Sequence, residues 1–467
     1  MVKRSLLIAL IVASAFFMES LDATIIVTAI PQMAESFGTS ATRMSLGVTA
    51  YVLATAACIP ASGWLADRVG ARNLFCSAIG LFTLASMACG AAPTFLTFIV
   101  GRIVQGAAAA MMSPVGRLVV LRSAEKRDLM QALSTLVWPA LFAPVVGPPL
   151  GGFITTAASW RWIFYVNVPL GLAGMALVLA YIPNQKAAER SAFDFKGFAL
   201  MAVALASLTY ALDVIGAGHI DLPMAAGLIL LAAVAGTLSL RHLRTVPNPV
   251  VRLQALKART FFVGSISGGC LSRAAISATP FLLPLMFQVG FGLTPVVSGL
   301  LLLIYMTANL LMKTITNPIM RRFGIRRVLV VNGALACLCI AACALISPGL
   351  PFVLTAAILL LAGGSRSMQF TGITFVSFAD IPAEERASAS VLASLTQQIS
   401  MGMGVAVGAL FLNLSLVVRG ATELSVNDFR VALVLAGALG CLALLSYASL
   451  PADAGAEISG HKAKAQT

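Results

Sequence analysis

GWLADRVGARN, Gly63 to Asn73, is a charged, glycine-punctuated turn between two long apolar runs, and this chain contains it twice. The second copy is NPIMRRFGIRR, Asn317 to Arg327, again flanked by apolar runs. Both keep R-x-G-x-R in register: Arg68, Gly70 and Arg72 against Arg322, Gly324 and Arg326. In the second apolar run after each loop another pattern repeats. Arg102 and Gln105 are spaced R-x-x-Q, and so are Arg366 and Gln369. Two coincidences at corresponding places point to internal duplication. Parallel halves, each built from inverted three-helix units, are a transporter architecture.

A helix crossing the hydrocarbon needs about 20 apolar residues. Breaks at Pro, Gly and charge place fourteen such runs near 6–30, 44–62, 74–92, 95–118, 130–156, 162–182, 198–214, 222–241, 260–287, 294–318, 328–346, 351–378, 388–416 and 430–450. The expected class is an all-α integral membrane protein with fourteen transmembrane helices. These form two six-helix bundles, 1–182 and 260–450, around a linker at 183–259 that carries a two-helix insert; 451–467 is a tail. Composition agrees, with 59% hydrophobic and 10% charged residues, against about 25% charged in a soluble protein.

The net charge of +14 suits either a nucleic-acid partner or a cytoplasmic excess of Lys and Arg. With the N-terminus inside, most bases fall in cytoplasmic loops, among them Arg122, Lys126, Arg127 and the stretch from Arg241 to Arg259. Arg43, Arg161, Arg419 and Arg430 fall opposite. That bias puts both termini in the cytoplasm and accounts for the charge without nucleic acid. The opening MVKRSLLIALIV looks like a signal peptide, but its apolar run continues to about Ile30 with no small-residue cleavage site, so a retained first helix is expected.

Chemistry of other kinds finds little support. All eight cysteines lie in apolar runs, which argues against a disulfide framework, and the Cys337, Cys339, Cys343 cluster has no His or acid near it in sequence. His219, His242 and His461 sit in loops or the tail. A membrane enzyme should show a nucleophile–base pair or metal ligands, and a sensor should carry a large soluble domain. Neither feature is found in the sequence.

Away from the run ends, six charges remain inside the apolar runs: Glu19, Asp22, Arg102, Arg273, Lys313 and Arg366. Each costs at least about 2.5–3.5 kcal/mol at the bilayer centre, so each needs a reason. Without the insert, twelve helices divide into four triplets. Glu19 with Asp22, Arg102, Arg273 and Arg366 each fall on the first helix of a different triplet, which predicts one shared polar cavity. At about 1.5 Å per residue, Asp22 and Arg102 lie at similar depth and should pair. Glu19, three residues earlier, shares Asp22's face. The pair is either a proton site or a static link between two helices. Arg273 and Arg366 sit near the midplane with no acid there to neutralise them. Lys313, nearer the cytoplasmic end, either snorkels or joins them.

LADRVGAR with Gly63 resembles the loop motif of the major facilitator superfamily. LDATIIVTAIP (Leu21–Pro31), GRIVQG (Gly101–Gly106), GPPLGG (Gly147–Gly152) and WRWIFYVNVP (Trp160–Pro169) resemble its fourteen-helix drug:proton antiporter branch of EmrB/QacA type, and within it the MdtD-type transporters. The resemblance implies export by alternating access, driven by protons, with no other cofactor. It implies proton relay by Asp22 and Arg102, with Gln105 beside them; Glu19 is an extra acid outside the family pattern and a second candidate proton site. It implies a cytoplasmic latch at Gly63, Asp67, Arg68, Gly70 and Arg72, and a gate at Gly147, Pro148, Gly151 and Gly152. The pattern departs at Val27, where the family commonly has Asn, and at Pro139 and Ala143, which replace glycines.

Substrate is read from the residues. Arg273, Arg366, Gln369 and Lys313 favour an organic anion such as citrate or metal-citrate, because paired guanidiniums suit carboxylates. Lipophilic drugs, the family's usual cargo, are the alternative. Expected partners are that small molecule and the lipid bilayer of the inner membrane, and a monomer is expected to suffice.

Overall fold

The computed structural model describes residues 4–123, 129–183, 193–216, 222–247, 249–382, 385–421, 423–451 and 453–455. Among the described residues every regular element is helical. In chain order the helices are α1 (Arg4–Ile25), α2 (Ile30–Ser36), α3 (Ala41–Val69), α4 (Ala71–Ala91), α5 (Phe95–Ser123), α6 (Leu129–Ala157), α7 (Trp162–Tyr165), α8 (Asn167–Tyr181), α9 (Phe195–Gly216) and α10 (Leu222–Thr245). After them come α11 (Arg259–Phe261), α12 (Gly268–Leu285), α13 (Pro295–Phe323), α14 (Ile325–Ala342), α15 (Phe352–Ser377), α16 (Arg386–Arg419) and α17 (Val426–Ala448).

Twelve helices of the described residues are long and apolar enough to cross a membrane. The expectation was fourteen. The other two runs are occupied by α6 and α9, each of which includes side chains outside the described residues. Large apolar side chains face outward all along these helices: Leu84 on α4, Leu338 on α14 and Leu445 on α17 are each more than 60% exposed. In water such a surface would drive aggregation; in a bilayer it is the lipid-facing surface. The chain is a multi-pass membrane protein.

The repeat read from sequence recurs as local geometry. α3 and α13 are both 29 residues long, and each ends at a single glycine that starts the next helix. Gly70 has φ 97° and ψ 139°; Gly324 has φ 79° and ψ 150°. A side chain would clash with the backbone in that region, so glycine is required to turn one helix directly into the next.

Two compact units result. The first comprises Met1–Tyr210, Gly227–Val250 and Thr294–Gly299; the second comprises Ala211–Ala226, Val251–Leu293 and Leu300–Thr467. In the first, a core of Ile8, Val12, Phe75, Phe82 and Met112 joins α1, α4 and α5. In the second, Leu329, Ile373, Val376 and Tyr447 join α14, α15 and α17.

Irregular backbone falls beside the buried charges. α1 passes into a 3₁₀ turn at Ile26–Ala29 just before α2, which has Pro31 in its first turn. Proline has no N–H to continue the α ladder, so the helix changes pitch four residues beyond Asp22. α12 lies between two π-helical stretches, Phe262–Ser267 and Met286–Gly290, and contains Pro280 and Pro284. Arg273 is on the α-helical segment between them.

Candidate functional site

In the first unit the site is built around one carboxylate. Asp22 on α1 is 1% exposed and receives three donors. Arg102 NH1 donates to Oδ2 at 2.7 Å, Gln105 Nε2 to Oδ1 at 2.8 Å, and Asn167 Nδ2 to Oδ1 at 2.7 Å. Arg102 NH1 also donates to Gln105 Oε1 at 2.6 Å, and Arg102 Nε to the Gly47 carbonyl at 3.2 Å. The guanidinium lies over the Tyr51 ring, 4.3 Å from its centroid. Asn167 donates further to Ser86 Oγ at 3.0 Å, and Ser86 donates to the Phe164 carbonyl at 2.9 Å. Side chains from α1, α3, α4, α5 and α8 thus converge on a charge pair excluded from solvent.

The structure brings Asp22, Arg102 and Gln105 into contact, the pairing expected from their spacing along the helices. Asn167 was missed. It is the one strongly polar side chain in an otherwise apolar stretch at the start of α8, inside the quoted WRWIFYVNVP, and a search for charges passes over it. Glu19 faces α5, as Asp22 does, but engages a different partner: Ser113 Oγ donates to Glu19 Oε2 at 2.8 Å. It is half-buried and stands apart from the Asp22 cage.

The expected gate packs against this same helix. A Cβ at Gly147 would collide with Thr24 Oγ1, and one at Gly151 with the Ile25 carbonyl and Thr28 Oγ1. Thr28 Oγ1 donates to the Pro148 carbonyl at 3.4 Å. Glycine at 147 and 151 therefore lets α6 approach α1 closely, at the residues immediately past Asp22 where α1 becomes 3₁₀. Gly152 is buried on another face of α6.

At the expected latch, Gly63 is exposed with open space around its Cα, and Arg68 lies over the Trp64 ring at 5.3 Å. Arg72 Nε and NH2 both donate to Asn73 Oδ1 at 3.2 Å. Gly70 makes the helix-to-helix turn described above. The side chain of Asp67 lies outside the described residues.

In the second unit the counterpart bases are arranged differently. Arg273 on α12 is 2% exposed, and its Nε and NH1 have no hydrogen-bond partner among the described residues. Ser277 Oγ, one turn further along α12, and Tyr447 Oη on α17 are likewise buried without partners. Tyr447 packs against Gly268, near the start of the α12 segment that carries Arg273. Arg366 on α15 is half-buried, lies 5.9 Å from the Tyr305 centroid and 5.3 Å from that of Phe370, and leaves NH1 without a partner. Gln369 binds protein instead: its Oε1 accepts from Asn332 Nδ2 at 2.9 Å, and its Nε2 donates to the Leu329 carbonyl at 3.2 Å. Lys313 is exposed on α13. Within the apolar helices from α12 onward, Asp428 is the only acid. It caps the first turn of α17 and pairs with Arg419 at 2.6 Å. Asn332 is a second polar residue that a reading of charges passed over.

Comparison with known proteins agrees with this geometry. The Major Facilitator Superfamily profile matches residues 12–405. The chain is 38% identical over 410 residues to a Citrobacter koseri protein named "Putative multidrug resistance protein MdtD", covering 86% of this chain and 85% of that one. The protein of the same name from Escherichia coli O6:H1 is 39% identical at the same coverage. Among solved structures, a D-xylose-proton symporter superposes with TM-score 0.68 at 14% identity, covering 96% of this chain and 98% of that one. The human organic anion transporter TETRAN gives 0.61 at 13% identity, covering 96% and 100%. At those identities the likeness concerns fold alone. The match over most of the chain, together with the duplicated helix pairs and the buried charge cage, makes the protein a member of the major facilitator superfamily with MdtD-type multidrug resistance relatives, a membrane transporter and not an enzyme.

Proposed function

We propose that the chain exports a small organic anion, such as citrate or a metal-citrate complex, in exchange for protons that enter through the Asp22 cage. The observation that carries this reading is Arg273. A guanidinium buried to 2% exposure with two nitrogens lacking acceptors is costly to hold in place unless an anion completes it. Arg366, with its own unpartnered nitrogen, adds a second donor set on α15. Lys313, exposed on α13, adds positive charge on the approach. A polycarboxylate offers several acceptors at once, which suits two planar guanidiniums.

Coupling runs through the first unit. Deprotonated, Asp22 holds Arg102, Gln105 and Asn167 and ties α1 to α5 and α8. Protonated, it loses the charge that binds Arg102, and α1 is released at the point where α6 presses on it. Alternating access follows if that release rocks the helices. Each inward proton supplies about 2.3 kcal/mol per 100 mV. Glu19 is a second proton site. Protons are the only coupling ions required, a monomer suffices, and no nucleic acid takes part. In this reading α6 and α9 complete fourteen spans, segments 1–182 and 260–450 are the two bundles, and both termini face the cytoplasm of an inner membrane.

Export of lipophilic drugs is the second reading, favoured by the name of the MdtD relatives. Proteoliposomes with an imposed proton gradient, loaded with labelled citrate or with a panel of lipophilic drugs, separate the two. The anion reading expects gradient-driven citrate movement that Arg273→Ala removes; drug transport indifferent to Arg273→Ala overturns it. Asp22→Asn should abolish gradient-driven movement of either cargo while sparing substrate exchange. Full transport in Asp22→Asn would refute the coupling role.

A further inference from the structure

Helices α13, α14 and α15 enclose a crevice of about 450 Å³ whose lining does not include Arg273 or Arg366. Its walls are largely apolar: Met312 and Phe323 from α13, Val331 and Leu335 from α14, Leu360 and Leu361 from α15. Several of these side chains open outward, with Val331 61% exposed and Leu361 58%. The polar residues on its floor are already occupied. Asn332 Nδ2 donates to the Ser365 carbonyl and to Gln369 Oε1, each at 2.9 Å. The body of the crevice therefore has little to offer a polar ligand.

The mouth is different. Arg327, in the first turn of α14, lines the crevice and is exposed. Leu335 lies eight residues further along, about 12 Å deeper at the α-helical rise. Arg326 is engaged, its NH2 donating to the Ala448 carbonyl at 2.8 Å, and Arg322 lies over the Phe323 ring. Arg327 has no hydrogen-bond acceptor among the described residues. A second hollow, lined by Asn317, Pro318, Arg321 and Arg322, lies at the same end of α13. The combination is an apolar slot roughly two helical turns deep with a cationic rim.

We infer that this crevice binds an anionic phospholipid, its phosphate at Arg327 and an acyl chain along α14 and α15. Charge and shape select this occupant. Basic pockets between transmembrane helices at the interface recognise anionic headgroups, and the arginine fork matches a phosphate. A zwitterionic lipid also offers a phosphate, but its choline ammonium offsets that charge and weakens the attraction to Arg327. The site is backed by Asn332, which holds Gln369 on α15, so the occupied crevice braces that helix. The inference requires a membrane-spanning chain and is independent of proton coupling and of the substrate's identity.

The test uses the full-length protein in phosphatidylcholine vesicles containing a trace of photoreactive phosphatidylglycerol or photoreactive phosphatidylcholine at equal mole fraction. Labelled peptides are mapped by mass spectrometry. Phosphatidylglycerol should label the segments around Val331–Leu335 and Leu360–Leu361 about fivefold more than phosphatidylcholine does, the preference that one basic side chain confers at an anionic surface. Arg327→Gln should bring the ratio to about one, and Arg327→Lys should keep most of it. Arg327 is exposed, so neither change disturbs folding. Gly364→Leu extends a side chain toward Met312, whose Sδ is 3.8 Å from a Cβ built there, and should lower labelling by both lipids. Equal labelling by the two lipids, or an unchanged ratio in Arg327→Gln, overturns the proposal. So does displacement of both lipids alike by a lipophilic drug, which would mark the crevice as a substrate entry.

Discussion

Arg102 on α5 and Arg366 on α15 begin the same R-x-x-Q motif, yet they live in opposite environments. Arg102 is enclosed by Asp22, Gln105, the Gly47 carbonyl and the Tyr51 ring. Arg366 keeps the aromatic support: Tyr305 stands at the register of Tyr51, but no carboxylate pairs with it among the described residues, and Gln369 has turned to Asn332. Arg273, on the helix equivalent to α1 by triplet position, stands where the first unit has an acid. A duplicated scaffold has thus kept its bases and changed what meets them. The first unit meets its buried guanidinium with a carboxylate and leaves only NH2 of Arg102 unpartnered, whereas Arg273 and Arg366 in the second unit have no ion-pair partner among the described residues.

Replacing each arginine by methionine should split the two units most widely. Arg102→Met strands Asp22 as an uncompensated buried charge, and the thermal unfolding of detergent-solubilised protein should show a loss of about 3–5 kcal/mol. Arg273→Met removes an unsatisfied charge, and its unfolding temperature should stay level or rise while anion transport disappears. Equal destabilisation by both would erase the comparison.

The gate offers the next largest effect. Gly151→Val forces a branched side chain against the Ile25 carbonyl and Thr28, and overpacking of this kind costs about 1–3 kcal/mol. Gradient-driven transport should fall with it. Gly63→Ala, in open space, should leave both stability and rate near wild type.

The two glutamines sharpen the contrast further. Gln105→Leu removes hydrogen bonds to charged partners, each contributing about 1.5–3 kcal/mol, whereas Gln369→Leu removes neutral ones of about 0.5–1.5 kcal/mol. Denaturation of the two variants should rank in that order. The reverse ranking would mean that the cage in the first unit is weaker than its geometry implies.

The smallest effect is in the insert. Asp194 accepts from the Gly197 N–H at 2.8 Å, the Val250 N–H at 3.2 Å and His242 at 2.7 Å, tying the start of α9 to the end of α10. Burial pushes its carboxyl up, but these hydrogen bonds outweigh that and hold it below the ordinary carboxylate range. Its contribution is therefore complete above the ordinary value of about 3.9 and is lost as pH falls through the lower folded value. Proteolysis of the segment that follows α10, around Val250, should quicken at pH 3 relative to pH 5 in the wild type. Asp194→Asn should flatten that difference.

Much of this was legible in the residues. Long apolar runs specify helices in lipid because every backbone N–H and C=O must be satisfied within the segment. The repeated R-x-G-x-R predicted two equivalent helix-to-helix turns, and Gly70 and Gly324 make them. Counting residues from helix ends placed Asp22 opposite Arg102, since helical rise is constant. Less legible was the linker's entry: Phe193 lies 4.7 Å from Trp64, an aromatic contact across 129 residues that composition does not announce.

The sequence alone therefore determined the class of molecule, its duplication and which charges lie within the apolar helices, because hydrophobicity and spacing are local quantities. Only the tertiary structure decided which face of each helix meets which neighbour. It brought Asn167 to Asp22 across 145 residues and left Arg273 without an acceptor. Helix rotation about its axis is set by packing against several distant partners at once, and no stretch of one helix encodes it.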